Sequence, residues 1–425
     1  ALGYNFSTKG KFITPFEKSI PKNQANLALV RDFNFNLLPT GYSFRTEMNR
    51  QFGETLMRDI YGDGLIDPTY NKYFNWDRFY GIKFEPARSL KIDFSASNNS
   101  RVDEPYGKID SPEKRDTIWN NIKSFGRTIT YRQNLNVSYN VPIGKIPSLN
   151  WITLRASYNA TFSWVAGSLG IADTLGNTIG NTQAKTINGE LNFRNLYNKS
   201  KFLKQYNTAT IANKSADRNQ KKEEKPQGDE MREGEEKVKK SSTAKVGLGG
   251  EILTRLLISV KRITINYSEN FGTTLPGYFP KPQLFGLNLQ TEAPGLGFVF
   301  GQQPTNPYLE NASGAGWLSA ATSLNALLLQ SFSQNLDIRA NIEPLPDLRL
   351  DMNLNKTYSE NNSEYYKNIH TLEDPEFAHL NPLQNGNLLM SYSIMGTIFD
   401  KLNTTDVTET FRRFEENRLI ITQRY

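Results

Sequence analysis

Only two histidines occur in the 425 residues, and they stand together in HTLEDPEFAH as His370 and His379, with Glu373, Asp374 and Glu376 between them. Imidazole and carboxylate in one short stretch could ligate a divalent ion or relay a proton. The spacing fits no known ligand pattern, however, and the stretch reads as a loop, so no metal is expected there. GLGFVFG, from Gly295 to Gly301, lacks both the G-x-G-x-x-G spacing and the flanking strand and helix that a phosphate cradle needs, so no nucleotide or other cofactor is expected. No G-x-S-x-G turn or Ser/His/Asp arrangement offers a nucleophile, and the absence of cysteine removes thiolate chemistry and disulfides. The expectation is a protein that is not an enzyme.

The bulk composition excludes further classes. The hydrophobic fraction is 37% and the mean hydropathy −0.56, low for a chain wrapped around a globular core. The formal charge of +7 is spread along the chain rather than gathered into a basic face with stacking aromatics, so no nucleic-acid partner is expected. No stretch approaches the ~18 apolar residues of a spanning helix, a test that leaves strand-built membrane proteins untouched.

The repeated device of the sequence is a strand with one apolar and one polar side. In FNFNLLPTGYSFRTEMN, residues 33 to 49, Phe33, Phe35 and Leu37 alternate with asparagines up to a turn at Leu38 to Gly41. Beyond it Tyr42, Phe44, Thr46 and Met48 alternate with Ser43, Arg45, Glu47 and Asn49. A period of two gives two faces only in a β-strand. Similar alternation marks Phe74 to Phe84, Leu90 to Ser97, Ile129 to Tyr139, Ile152 to Trp164, Ile187 to Leu196, Ile263 to Tyr267, Leu336 to Ile342, Leu348 to Asn355 and Leu388 to Ile398. With the opening pair this makes about eleven strands.

The polar faces carry Arg45, Glu47, Arg132, Arg155, Asp337, Arg339, Arg349 and Asp351, expected to line a water-filled interior. Leu154, Tyr158, Phe162 and Trp164 are expected to face lipid. From Ile152 to Trp164 is twelve steps, about 40 Å at ~3.3 Å per residue and about 28 Å along a bilayer normal at ~45° tilt. The expected fold is all-β, an antiparallel transmembrane sheet forming part of a very large outer-membrane β-barrel.

The connections alternate between short Pro-containing turns, near Pro39, Pro86, Pro142 to Pro147 and Pro344 to Pro346, and long loops. The long ones are expected at Gln51 to Tyr73, Asn98 to Arg127, Val165 to Thr186, Asn270 to Ser333 and Glu360 to Asn387. Outer-membrane barrels show this asymmetry, with short turns periplasmic and long loops outside. GTTLPGYFP, with Gly272, Leu275, Pro276 and Gly277, is expected to be a packed loop folded into or over the lumen. KKEEKPQGDEMREGEEKVKK has seven basic and seven acidic residues and almost nothing to bury, so residues 207–245 are expected to be a disordered periplasmic linker. A short amphipathic helix is expected over 246–261. The remaining divisions are barrel strands over 1–206 and 262–398 and a periplasmic extension over 399–425. Ala1 opens on a patterned segment with no leader before it, so the chain is expected to be processed or a piece of something longer.

FNFNLLPTGYSFRTEMNRQF, LISVKRITINYSENFGTTLPGYFP, PGLGFVFG and LDIRANIEPLPDLRLDMNLNKTYSEN, with FRRFEENRLIITQRY near the end, resemble the SprA/Sov family. Its members are outer-membrane translocons of the type 9 secretion system of Bacteroidota, also required for gliding motility. The likeness covers most of the chain from about Arg31 onward. It implies a wide single-chain pore that exports folded cargo. It also implies partners: outer-membrane shuttle and periplasmic plug proteins, the secreted cargo, the lipid bilayer and the remaining sections of the same barrel. About eleven strands are too few for so wide a pore, so the chain is expected to be one wall section. Two other readings of the residues stay open, a small complete barrel acting as a porin or nutrient transporter, and a soluble adhesive or structural β-protein of the cell surface.

Overall fold

A computed structural model of the chain describes residues 1–21, 24, 27–57, 67–204, 254, 256–345, 348–391 and 409–424. Eleven strands form one antiparallel sheet, each paired with its neighbours in chain order. They are β1 (Leu2–Ser7), β2 (Gly41–Thr55), β3 (Thr69–Ala87), β4 (Leu90–Arg101), β5 (Arg127–Val141), β6 (Ile152–Val165), β7 (Asn177–Asn192), β8 (Val260–Tyr278), β9 (Leu328–Leu345), β10 (Leu348–Asn368) and β11 (Phe377–Met390). The links at one end are the short turns, residues 8–40 between β1 and β2, and the charged connection between β7 and β8. At the other end β4 and β5 are joined through a helix, α1 (Pro112–Lys123), whose first turn is capped by the Ser111 hydroxyl accepting from the Lys114 amide. β8 and β9 are joined by residues 279–327, which carry α2 (Leu296–Val299) and α3 (Asn306–Gly314).

The strands are staggered in a constant sense. Leu90, the first residue of β4, shares a row of pairings with Tyr139, Ala156, Ile187, Tyr267, Leu336 and Lys356. Lys356 lies eight residues into β10 beyond Leu348. The short-turn end therefore slips eight residues over six strand-to-strand steps. At ~3.3 Å per residue and ~4.8 Å per strand this is a slant of about 40°.

Three sequence expectations need correction. Phe33 to Leu37 is not a strand: β2 pairs with β1, and Phe35 meets only Ile13 in an isolated bridge. The alternation there is real but inverted, because Asn34 and Asn36 are buried while Phe33 and Leu37 are exposed. Asn34 Oδ1 accepts from the Arg88 amide at 2.8 Å, and Asn36 brackets Leu38, donating to its carbonyl at 2.9 Å and accepting from its amide at 3.2 Å. Side-chain amides that bind backbone in this way compete with a strand ladder.

Second, the long loops are shorter than expected, because strands continue into them. β10 and β11 occupy most of Glu360 to Asn387, with Asn361 opposite Asn385. At that height both faces are polar, so the alternation fades while the backbone ladder persists. Third, Gly272, Leu275, Pro276 and Gly277 are the upper part of β8 and not a loop: Gly272 is held between β7 and β9, while above Thr274 the strand pairs with β7 alone. The linker expected at 207–245 lies outside the described residues. Of the helix expected at 246–261, residues 254, 256 and 257 are helical and β8 begins at Val260.

The segment before β2 straps the short-turn end. The Asn36 amide donates to Pro86 O at 2.8 Å, and Asp32 bridges Arg31 at 2.8 Å and Lys145 at 3.4 Å. The Arg31 hydrogen bond, with Lys145 beside it, holds the Asp32 carboxyl below its ordinary range.

Candidate functional site

Antiparallel partners share a face, so the register sorts every strand side chain. One face carries Arg45, Glu47, Arg132, Arg155, Asp337, Arg339, Arg349 and Asp351, all on the same side as expected. Its charges pair close to home: Arg45 with Glu47, Arg339 with Asp337 at 2.9 Å, Arg349 with Asp351 at 3.6 Å and Arg262 with Glu190 at 2.7 Å. Arg155 donates to Asn140 at 2.7 Å.

Toward the long-loop end this face becomes a field of serine, threonine, asparagine and glycine whose side chains bind one another across strands. Asn159 reaches Asn134 at 3.1 Å, Asn270 reaches Ser333 at 3.3 Å, and Thr161 meets Thr182 at 2.5 Å. A groove of about 540 Å³ opens there, lined among others by Ser163, Thr182, Gly272, Thr274, Ser331 and Asn361. A methyl group on Gly272 would stand 2.9 Å from the Ser331 hydroxyl, which would have to rotate away. A few apolar side chains interrupt the field: Phe79, under the Arg45 guanidinium at 5.8 Å, and Leu329, Leu383 and Leu389 near the β11 edge.

The other face divides into two zones. Near the short turns it is an apolar belt, with Ile82 on β3, Phe94 on β4, Val137 on β5, Leu154 on β6, Ile265 on β8 and Leu354 on β10. The belt runs obliquely to the rows of pairings. Ile92 and Val137 share a row with Lys185, Glu269 and Gln334, which are polar, whereas Leu154 shares one with Leu354; one row higher the Phe271–Phe332 pair interrupts the polar side. The belt thus follows the slipping strand ends.

Above the belt the same face is covered by residues 279–327, a cap with a core of its own. Phe298 stacks on Tyr308 at 5.6 Å and meets Phe162 edge-on at 6.1 Å, and Val299, Leu309, Ala312 and Leu318 fill in around Trp164, Ile179, Leu275 and Tyr278. Burial pushes the Tyr308 phenol up; its hydroxyl donates to Pro294 O at 2.9 Å.

The lipid-facing expectation therefore fails for two of its four residues. Phe162 and Trp164 are each 1% exposed beneath the cap, and Trp164 donates to Pro280 O at 3.1 Å. Tyr158 stands at the boundary, partly buried, with its hydroxyl donating to Phe300 O. Leu154 stays in the uncovered belt. The packed loop expected at Gly272 to Pro280 is not found there: residues 272–278 form the end of β8, and the segment that does pack, residues 279–327, lies on the face opposite the polar one.

A row of side-chain amides that sequence reading passed over docks the cap. Gln133 donates to Val299 O at 3.3 Å, Asn181 to Phe298 O at 2.9 Å and Gln302 O at 2.8 Å, and Gln330 to Pro304 O at 3.1 Å. Amides at apolar-face positions of several strands, all in one row of pairings, were the available signal. The two histidines do not meet: His379 Nδ1 lies 2.9 Å from Glu364 on β10, while His370 Nδ1 lies 3.0 Å from Asp374 O in the loop. Among the described residues no three histidine, aspartate or glutamate side chains gather as a metal site requires. No family model matches the chain, and no curated protein sequence matches it.

Proposed function

We propose that the chain is a wall section of a wide outer-membrane β-barrel through which folded proteins reach the cell surface, the type 9 secretion translocon that its motifs resemble. The observation that carries this reading is the belt's obliquity. A belt that crosses the pairing rows is level only when the strands stand about 40° off the normal of the layer that covers it, and transmembrane barrels tilt ~35–45°. A soluble sheet has no reason to keep its apolar residues level at that angle.

On this reading the belt faces lipid, the polar face lines the conduit, the long-loop end is extracellular and the short-turn end periplasmic. The outer edges of β1 and β11 are the two ends of an open sheet. Hydrocarbon does not tolerate such edges, so they pair with further strands of the same barrel. The wall acts by geometry: hydroxyls and amides that satisfy one another, with charges neutralised in pairs, leave a passing protein little to bind.

Cross-linking in the whole protein tests this. The chain has no cysteine of its own, so once any cysteine in the remaining sections is replaced by serine, Tyr4→Cys with Leu388→Cys reports on its two edges. They should not bridge to each other. A disulfide between them would mean a sheet closed on itself and would replace the wall section by a small complete barrel. In parallel, a membrane-impermeant maleimide should modify Asn188→Cys quickly and Ile187→Cys only after detergent is added. Equal rates at these neighbours would overturn the assignment of faces.

A further inference from the structure

The cap shortens the belt. From Ile152 to Ala160 on β6 is eight steps, about 26 Å along the strand and about 20 Å along the normal at a slant of about 40°, against the ~25 Å usual for a barrel's apolar band. The missing height lies where the cap begins. Residues 284–287 form a two-residue turn, closed by the Leu287 amide on Leu284 O at 3.0 Å, with φ of +50° at Phe285 and +79° at Gly286. Turns with positive φ at both centres are ordinarily filled by Asn-Gly, and a bulky aromatic is rarely held in that backbone. Here the turn is pinned: a methyl on Gly286 would stand 2.8 Å from the Phe162 ring, and the Phe285 ring meets Phe94 at 5.2 Å.

Phe94 belongs to the belt, so the turn rests on the belt's upper margin. Even so, Phe285 remains 40% exposed and Leu284 55%. We infer that this turn is a second membrane contact: Leu284 and Phe285 dip into the acyl chains of the leaflet at the long-loop end and complete the belt from above. The inference rests on the reading of the belt as lipid-facing. Its occupant is chosen by continuity, since the exposed ring lies against a side chain of that same surface.

The test uses the whole protein in lipid vesicles, with an environment-sensitive fluorophore on a single engineered cysteine and nitroxide quenchers placed shallow or deep on the lipid acyl chains. A label at Leu284→Cys should be quenched by the shallow nitroxide several-fold more than by the deep one. A label at Ile187→Cys should prefer the deep one, and a label at Trp119→Cys, exposed on α1, should respond to neither. An unquenched Leu284 label beside a quenched Ile187 label overturns the anchor and leaves the belt standing, including the case in which another protein covers the turn. Both unquenched would overturn the belt as well. Adding Phe285→Asn, which suits the left-handed backbone, should make quenching at Leu284 shallower and weaker while hydrogen exchange in the cap stays slow. Unchanged quenching would show that the ring does not set the depth.

Discussion

Replacing Phe162 by alanine separates the lipid-facing role first expected of it from the docking role it holds. The ring is 1% exposed, edge-on to Phe298 at 6.1 Å and tilted against Tyr131 at 6.2 Å, so it stands at the seam between sheet and cap. Removing a buried phenylalanine costs ~3–5 kcal/mol through lost transfer energy and the cavity left behind. The β5–β6–β7 ladder keeps all its backbone hydrogen bonds, so most of that cost falls on docking of the cap. At ~1.4 kcal/mol per tenfold, even 3 kcal/mol raises the open population of the cap ~150-fold. Hydrogen exchange reads this directly at the Gly301, Gln302 and Trp317 amides, which bond within the cap to Phe298 O, Gly297 O and Ala312 O. These should exchange ~10²–10³ times faster, with the strand amides nearly unchanged. Equal acceleration in the strands would show that Phe162 holds the sheet itself. No acceleration anywhere would return it to the lipid side.

Gly286→Ala should loosen the cap in the same way, by more than ~1 kcal/mol, since it adds both a forbidden φ and a contact with Phe162; faster protease nicking between residues 279 and 327 measures it. Tyr158→Phe removes the donor to Phe300 O and the acceptor for Gln183 at 2.9 Å, and should give a smaller loss of cap protection, ~1–2 kcal/mol. Leu336→Arg on the belt should cost ~2–4 kcal/mol of folding stability in lipid, and Asn335→Arg on the polar face much less; equal urea midpoints would contradict the faces. If the chain is the wall section proposed, deleting the hairpin Gln334 to Tyr358 should abolish cargo secretion by breaking the wall, whereas Arg155→Ser should leave it near normal.

The sequence discloses this fold where one face is apolar and the other is not. Alternation from Leu90 to Ser97 and from Ile152 to Tyr158 marks strands whose faces are those expected. It misleads where a local partner takes over, as at Asn34 and Asn36, whose amides bind backbone and leave Phe33 and Leu37 outside. It falls silent where both faces are polar, as in the upper halves of β10 and β11. The cap was hidden for a related reason. Phe162 and Trp164 extend an apolar run without a break, and nothing in one strand says that its upper end is covered by a segment more than a hundred residues away. Only Gln133, Asn181 and Gln330, read together in one row of pairings, betray it, and that row is known only once the register is.

The same register shows how the charges of the polar face are paired. Its ion pairs sit near the short turns, and each joins residues on one strand or on adjacent strands: Glu190 with Arg262, Asp337 with Arg339, Arg349 with Asp351. Exposed pairs of this kind add ~0–1 kcal/mol of stability, so rigidity is not what they supply. Their effect is on the field: charges of opposite sign a few ångströms apart cancel at distance, and the remainder is screened within ~8 Å at physiological salt. A solute channel gains selectivity by gathering one sign of charge at a constriction. Here the signs are interleaved, and the upper face turns to neutral hydroxyls and amides already bonded to one another. On the proposed reading, a conduit lined this way presents large cargo with no single-sign field and with few apolar side chains, Phe79, Leu329, Leu383 and Leu389 among them, so passage would depend on the continuity of the wall rather than on any one residue in it.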